Sequence, residues 1–164
     1  MHVRSRMLVL ALLVVLPAGL AAQVASTSAV HLDPKWVQNY AKLQAKAAKQ
    51  QGHKLAETLA TMAAYDYTFA DTSFKAHDAS AADQYMAQMT AHADQACALL
   101  QTQVKLGKKD GIKHVEENIQ RISFGLRGLE QSVGFRQQAK VKAAVDHFTD
   151  LNYELLQWLF APKS

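Results

Sequence analysis

The sequence predicts an all-α protein, an antiparallel up-down-up-down four-helix bundle with an additional N-terminal amphipathic helix, preceded by a signal peptide. Prolines are absent between residues 35 and 161, and no stretch alternates apolar and polar residues as a strand would. An aliphatic residue also recurs every three or four positions, at Ile112, Val115, Ile119, Ile122, Leu126, Leu129 and Val133. A stripe with this period lies on one side of a helix and must be buried.

Residues 1–22 have the pattern of a secretory signal peptide. Arg4 and Arg6 precede an apolar run over 7–16, and small residues follow as far as Ala22. The run is shorter than the roughly 20 residues needed to span a bilayer. We therefore expect export to the periplasm or secretion, no transmembrane segment after cleavage, and a flexible N-terminus over 23–32.

Composition bounds the classes of function. The chain has 18 basic and 14 acidic residues, and cleavage of the leader would remove two of the arginines. So small an excess of positive charge argues against nucleic acid as a partner. Cys97 is the single cysteine, so no internal disulfide can form. We expect it to be a small buried hydrophobe rather than a reactive thiol.

The remaining chain, 33–161, is predicted to form one helical bundle domain. Asp33 and Pro34 are a strong helix start, because Asp caps free backbone N–H groups and Pro is preset for the first helical position. A break is expected near Gly52, where the apolar register shifts. Short connections make the following helices antiparallel neighbours. The predicted helices are about 34–51, 53–71, 81–106, 110–133 and 137–160, with Ser80 as the cap of the third.

The sequence lacks the common motifs of catalytic and cofactor-binding sites. Motifs for covalent haem, zinc proteases, phosphate loops and hydrolase elbows are absent, and so are the two Glu-x-x-His pairs of a di-iron bundle. The sequence therefore predicts a non-enzymatic protein. An enzyme of unmarked type would need a polar pocket, for which the candidates are Tyr65, Asp66, Tyr67 and His77. Asp66 falls on an apolar register and is expected to be buried with a hydrogen-bond partner such as Tyr or Lys.

Methionine and histidine residues give an alternative function. Met86, Met89 and His92 follow one another at helical spacing, and His147 lies on the last helix. Thioether and imidazole groups suit copper, and a Met and His pair could hold haem b in a bundle. The simpler interpretation is that both methionines fill the core and both histidines bond a carbonyl or carboxylate.

The outer side of helix 110–133 gives the leading function. Two interior glycines there cost about 1 kcal/mol each relative to alanine, so close docking of another helix is expected. Either the helix containing Trp36 and Tyr40 folds back over this strip, or a protein partner or a second copy docks on it. The strip consists of Arg121, Phe124, Gly125, Gly128 and Ser132.

Two groups of lysines remain open to interpretation. Lys35, Lys42, Lys46 and Lys49 share one face of helix 34–51, which is either solvated or lies on an anionic membrane. A second group surrounds the turn before residue 110, at Lys105, Lys108, Lys109 and Lys113. The prediction is an exported helical bundle that acts by binding a protein partner or itself, with a haem or copper carrier as the alternative.

Overall fold

A computed structural model describes residues 32–161 and confirms that this part of the chain is all-α. Its five helices are α1 (Pro34–Ala47), α2 (Gly52–Lys75), α3 (Ala79–Lys105), α4 (Ile112–Ser132) and α5 (Phe135–Phe160). Within 32–161, no helix combines the length and the apolar character needed to cross a membrane. The predicted signal peptide, and all but the last residue of the predicted flexible N-terminus, lie outside the described residues.

The helix boundaries follow local chemistry, with one cap different from the prediction. Asp33 Oδ1 accepts a hydrogen bond from the Lys35 amide at 2.8 Å, as expected for the start of α1. The expected break separates α1 from α2 at residues 48–51, and Gly52 has a φ of +58°. Asp78, not Ser80, caps α3 by accepting from the Ala81 amide at 2.9 Å. α2 runs on to Lys75, because the turn into α3 needs only residues 76–78.

The core is built on the aliphatic stripe of α4. Six of its seven positions, from Ile112 to Leu129, are buried, and Val133 is partly buried. α2 and α3 face each other with small side chains and make the most extensive helix pair. Small residues let two helix backbones approach closely. The buried alanines of the two helices are Ala56, Ala60, Ala63 and Ala70 in α2, and Ala81, Ala82, Ala93 and Ala96 in α3.

The five helices do not pack evenly. α4 pairs with α5 and also contacts α2, whereas α3 touches α4 and α5 only lightly. α1 packs against α2, contacts no other helix substantially, and contains no fully buried residue. Two features that bear on function follow, an open groove between α3 and α5 and an outer side of α4 that α1 does not cover.

Candidate functional site

The first candidate is a buried carboxylate in the middle of α2. Asp66 is fully buried, as the sequence predicted, and its Oδ2 lies 2.7 Å from Nδ1 of His92 on α3. The Tyr40 hydroxyl of α1 approaches the same carboxylate. Among the described residues, Oδ1 has no hydrogen-bond partner. The sequence predicted a Tyr or Lys partner, and Tyr40 confirms the tyrosine. The partner His92, which lies on another helix, was not predicted.

Burial dominates the electrostatics of this carboxylate. Removal from water raises the pKa of Asp66, while the His92 and Tyr40 side chains oppose that rise. Burial and the nearby Asp66 carboxylate together raise the pKa of the Tyr40 hydroxyl. The Tyr40 hydroxyl therefore stays protonated and remains a hydrogen-bond donor. The cluster of Asp66, His92 and Tyr40 can hold a proton and anchors α1 to α2. We call this cluster the latch.

Aromatic rings from α1, α2 and α3 pack together near this carboxylate. The Tyr40 ring meets Tyr65 and Phe69 edge-on at centroid distances of 6.3 and 5.5 Å. Phe69 in turn meets Tyr85 of α3 at 5.3 Å. The other two residues of the predicted enzyme pocket lie elsewhere. Tyr67 faces α4, and His77 is exposed in the turn before α3 with a φ of +59°.

The second candidate is the groove between α3 and α5, with a volume of about 650 Å³. Its floor is mostly apolar, and Phe74 from the end of α2 contributes to it. Two polar contacts bridge the groove. Lys140 pairs with Asp83 at 2.5 Å, and His147 Nε2 lies 2.7 Å from Asp94 Oδ1. The other lining residues are Met86, Ala87, Thr90, Ala91, Val141, Ala143 and Ala144. Such exposed polar contacts add little stability, so ligand entry would cost little if it broke them.

The four candidate haem or copper ligands lie in three places. Met86 and His147 line the groove, on opposite walls. Met89 is fully buried in the core, and His92 is paired with Asp66. Over residues 32–161, no three His, Cys, Asp or Glu side chains are arranged to hold a metal ion. The structure therefore brings together one methionine and one histidine of the four.

The third candidate is the outer side of α4, where the two glycines have different surroundings. A Cβ on Gly125 would lie 2.4 Å from Cζ of Tyr67, so the α2 tyrosine occupies the space that a side chain would need. A Cβ on Gly128 would meet nothing within 4 Å. Packing against Tyr67 therefore explains why position 125 is a glycine. Gly128 faces open space.

Phe124 is the most prominent residue of this side and is 63% exposed. The Arg127 guanidinium lies over its ring, 5.6 Å from the centroid, and also contacts the Thr149 hydroxyl of α5 at 3.5 Å. Arg121 is exposed one turn before Phe124. Trp36 and Tyr40, predicted for the same surface, lie on α1, which does not pack against α4.

An aromatic residue of α5 adds to this surface. Arg127 meets Thr149, and Lys109 near the start of α4 meets the Ala161 carbonyl at the end of α5, so the two helices run antiparallel. Phe124 lies one turn before Arg127, and Tyr153 lies one turn after Thr149. Because the helices are antiparallel, both residues lie on the same side of the Arg127 to Thr149 contact. Tyr153 is 66% exposed. We call this surface the outer face, and it comprises Arg121, Phe124, Arg127, Gly128, Thr149 and Tyr153. The sequence did not predict Tyr153 for this surface, because its place there depends on the pairing of the two helices.

Comparisons with known proteins give no relative. No family model matches the chain, and neither does any curated protein or any solved structure.

Proposed function

We propose that this is an exported, non-enzymatic helical-bundle protein that acts by binding a protein through its outer face, and that the bound protein is a second copy of itself. In this proposal, residues 1–22 are a signal peptide, and the protein works in the periplasm or outside the cell. α2 to α5 form the up-down-up-down four-helix bundle, and α1 is an added helix latched to it by Tyr40.

The observation that carries the proposal is the position of α1. The simplest alternative for the strip on α4 was that α1 folds over it, and α1 instead packs on α2. Phe124 and Gly128 remain exposed. Exposed aromatic residues beside arginine have the composition of binding hot spots. A glycine at the centre allows a partner helix to approach closely.

Charge favours a second copy as the partner. The α4 side of the outer face carries Arg121 and Arg127, while Asp146 and Asp150 are exposed on the neighbouring side of α5. A two-fold axis between α4 and α5 would set α4 of one copy against α5 of the other. Each arginine pair would then face the aspartate pair of the other copy. Asp146 also pairs with Lys142 of its own helix, so that pair would have to open for the full charge complementarity to form.

Replacing the exposed aromatics tests this proposal. We expect the chain from residue 23 onward, which keeps every described helix, to dimerise in sedimentation equilibrium. Phe124→Ser and Tyr153→Ser should each weaken dimerisation by about 2 kcal/mol, roughly thirtyfold in Kd. Phe135→Ser is the matched control, since Phe135 is 91% exposed but lies at the start of α5. A wild-type chain that stays monomeric would contradict self-association, and equal effects of all three changes would contradict the location.

A haem or copper carrier is the second candidate, and the shared groove of Met86 and His147 favours it. The groove has an apolar floor, as a porphyrin needs, and its two walls offer a thioether and an imidazole. His147 would first have to release Asp94. Met89 and His92 would stay in their structural roles.

Titration with haem b and with Cu(I) tests this second candidate. Binding should give an absorption spectrum typical of Met and His ligation, or stoichiometric copper uptake. Either signal should be lost in Met86→Leu and His147→Gln, and kept in Met89→Leu. A spectrum that is unchanged by Met86→Leu and His147→Gln, or no uptake at all, would rule the groove out.

A further inference from the structure

One end of the molecule gathers four helix termini. A Cβ on Gly52, at the start of α2, would lie 3.7 Å from the Gln103 side chain near the end of α3. A Cβ on Gly111, just before α4, would lie 3.1 Å from Cβ of His53. The Lys109 ammonium donates to the Ala161 carbonyl at 2.6 Å, which brings the end of α5 to the same place.

This end is strongly basic. The two segments that form most of it, 46–54 and 103–113, contain seven lysines and a single acid, Asp110. Two more acids adjoin these segments: Glu57, whose side chain lies beside Gly111, and Glu117, which pairs with Lys113 at 3.9 Å. The whole chain has a net charge of only +4, so the rest of the molecule is slightly acidic. We call the six exposed lysines the basic end, namely Lys46, Lys49, Lys54, Lys105, Lys108 and Lys113.

The opposite end of the molecule has a different charge. It is formed by segments 71–83 and 130–140, which the Asp83 to Lys140 ion pair joins. Four acids there, Asp71, Asp78, Asp83 and Glu130, outnumber three bases, Lys75, Arg136 and Lys140. The two ends of the described molecule therefore differ in charge, and the excess of lysine lies at the end where α2 and α4 begin.

Two large apolar side chains lie among the lysines. Leu106, between Lys105 and Lys108 in the α3 to α4 turn, is 66% exposed. Phe160, next to the carbonyl that Lys109 contacts, is 78% exposed. Apolar side chains set among lysines are typical of surfaces that enter the headgroup layer of a membrane.

We infer that the basic end docks on the surface of an anionic lipid bilayer. The lysines meet the lipid phosphates, and Leu106 and Phe160 insert between the headgroups. The inference is independent of the proposed dimer, because the outer face lies on the sides of α4 and α5 and not at this end. The sequence predicted a possible membrane contact for the whole lysine face of helix 34–51. The inference limits that contact to Lys46 and Lys49, which are the lysines of this helix at the basic end.

A lipid surface explains these residues better than a nucleic acid does. Each lysine near an anionic membrane contributes about 1 kcal/mol, and stable attachment requires a second, apolar contribution. Leu106 and Phe160 supply the apolar contribution. A phosphate backbone offers no apolar layer into which these side chains could insert. The basic end is also a tip formed by turns, with no helix presented for insertion into a groove of a duplex.

Co-sedimentation with vesicles tests the inference on the chain from residue 23 onward. We expect binding to vesicles that contain phosphatidylglycerol and none to pure phosphatidylcholine. The triple change Lys105→Gln, Lys108→Gln and Lys113→Gln should lower the partition coefficient about a hundredfold. Leu106→Ser with Phe160→Ser should abolish the binding that remains at high salt, where charge is screened.

A matched triple change removes the same charge elsewhere, with Lys75→Gln, Arg136→Gln and Lys142→Gln. It should leave the partition coefficient nearly unchanged, and so should Phe135→Ser as the control for the apolar changes. Equal losses in both triple variants would overturn the inference, because net charge alone would then explain binding. Absence of binding to the anionic vesicles, or binding to duplex DNA in preference to them, would also overturn it.

Discussion

The Tyr67 ring lies where a side chain on Gly125 would have to go, with its Cζ 2.4 Å from the position of a Cβ. This contact joins α2 to α4 and explains why α4 has a glycine at position 125. Gly128, one turn later, has no such neighbour. Replacing each glycine by alanine should therefore have opposite effects on the stability of the protein.

Gly125→Ala should destabilise the protein. The added methyl group would overlap the Tyr67 ring, and relieving such an overlap typically costs 1–3 kcal/mol. Urea unfolding measures the free energy of unfolding directly. In a Tyr67→Ala background the same change should cost much less, because the overlap is gone. An equal cost in both backgrounds would show that Tyr67 is not the cause.

Gly128→Ala should stabilise the folded monomer. The position is exposed and helical, and alanine is favoured over glycine in a helix interior by about 1 kcal/mol. The measurement is urea unfolding in a Phe124→Ser background, in which the proposed dimer is weakened. A loss of stability there as large as that for Gly125→Ala would show that Gly128 is also covered within the molecule.

Asp66 should make stability depend on pH in a defined direction. Its folded pKa is raised above the ordinary value of 3.8, so the carboxyl contributes most to stability below that value. That contribution is lost as pH rises through the folded pKa. Asp66→Asn removes the titration, so the free energy of unfolding of the wild type relative to this variant should fall from about pH 4 to about pH 5.5, below the histidine range.

Asp110→Asn serves as the control for this pH dependence. Asp110 is exposed in the turn before α4 and lies outside the outer face, so its difference from the wild type should change little over the same range. A wild-type advantage over Asp66→Asn that grows with pH would contradict the account. It would mean that the charged carboxylate, paired with His92, is the form that the fold favours.

Cys97 should be almost unreactive in the folded protein. It is buried, and burial raises the pKa of its thiol to about 12. The thiolate is the reactive form, so reaction with a thiol reagent near pH 8 should be slower than in the unfolded chain by roughly a thousandfold. The comparison is the rate without and with denaturing urea. Similar rates in the two conditions would show that the site around Cys97 is open.

Much of the fold follows from local patterns in the sequence. The stripe of α4 repeats at the helical period, and its positions from Ile112 to Leu129 are buried as the period predicts. The break before Gly52 was also predictable, since the apolar register shifts there. The cap of α3 was not, because Asp78 and Ser80 are both good caps and only the three-residue turn selects Asp78.

The candidate sites depend on contacts between distant residues, and these were harder to predict. The burial of Asp66 was visible as an acid on an apolar register. Its partner His92 lies 26 residues away, and nothing in the local sequence of α2 indicates it. The groove of Met86 and His147 exists because α3 and α5 pack lightly against each other. This light packing depends on the arrangement of all the helices and not on the sequence of either helix alone.

Exchange of charge between the two sides of the outer face tests the central claim most directly. One variant carries Arg121→Glu and Arg127→Glu, and the other carries Asp146→Arg and Asp150→Arg. In the proposed pairing each variant alone meets like charges, and a mixed dimer restores opposite charges at both contacts. Sedimentation velocity should therefore show two monomeric variants that dimerise when mixed. Variants that dimerise alone, or a mixture that stays monomeric, would contradict the account.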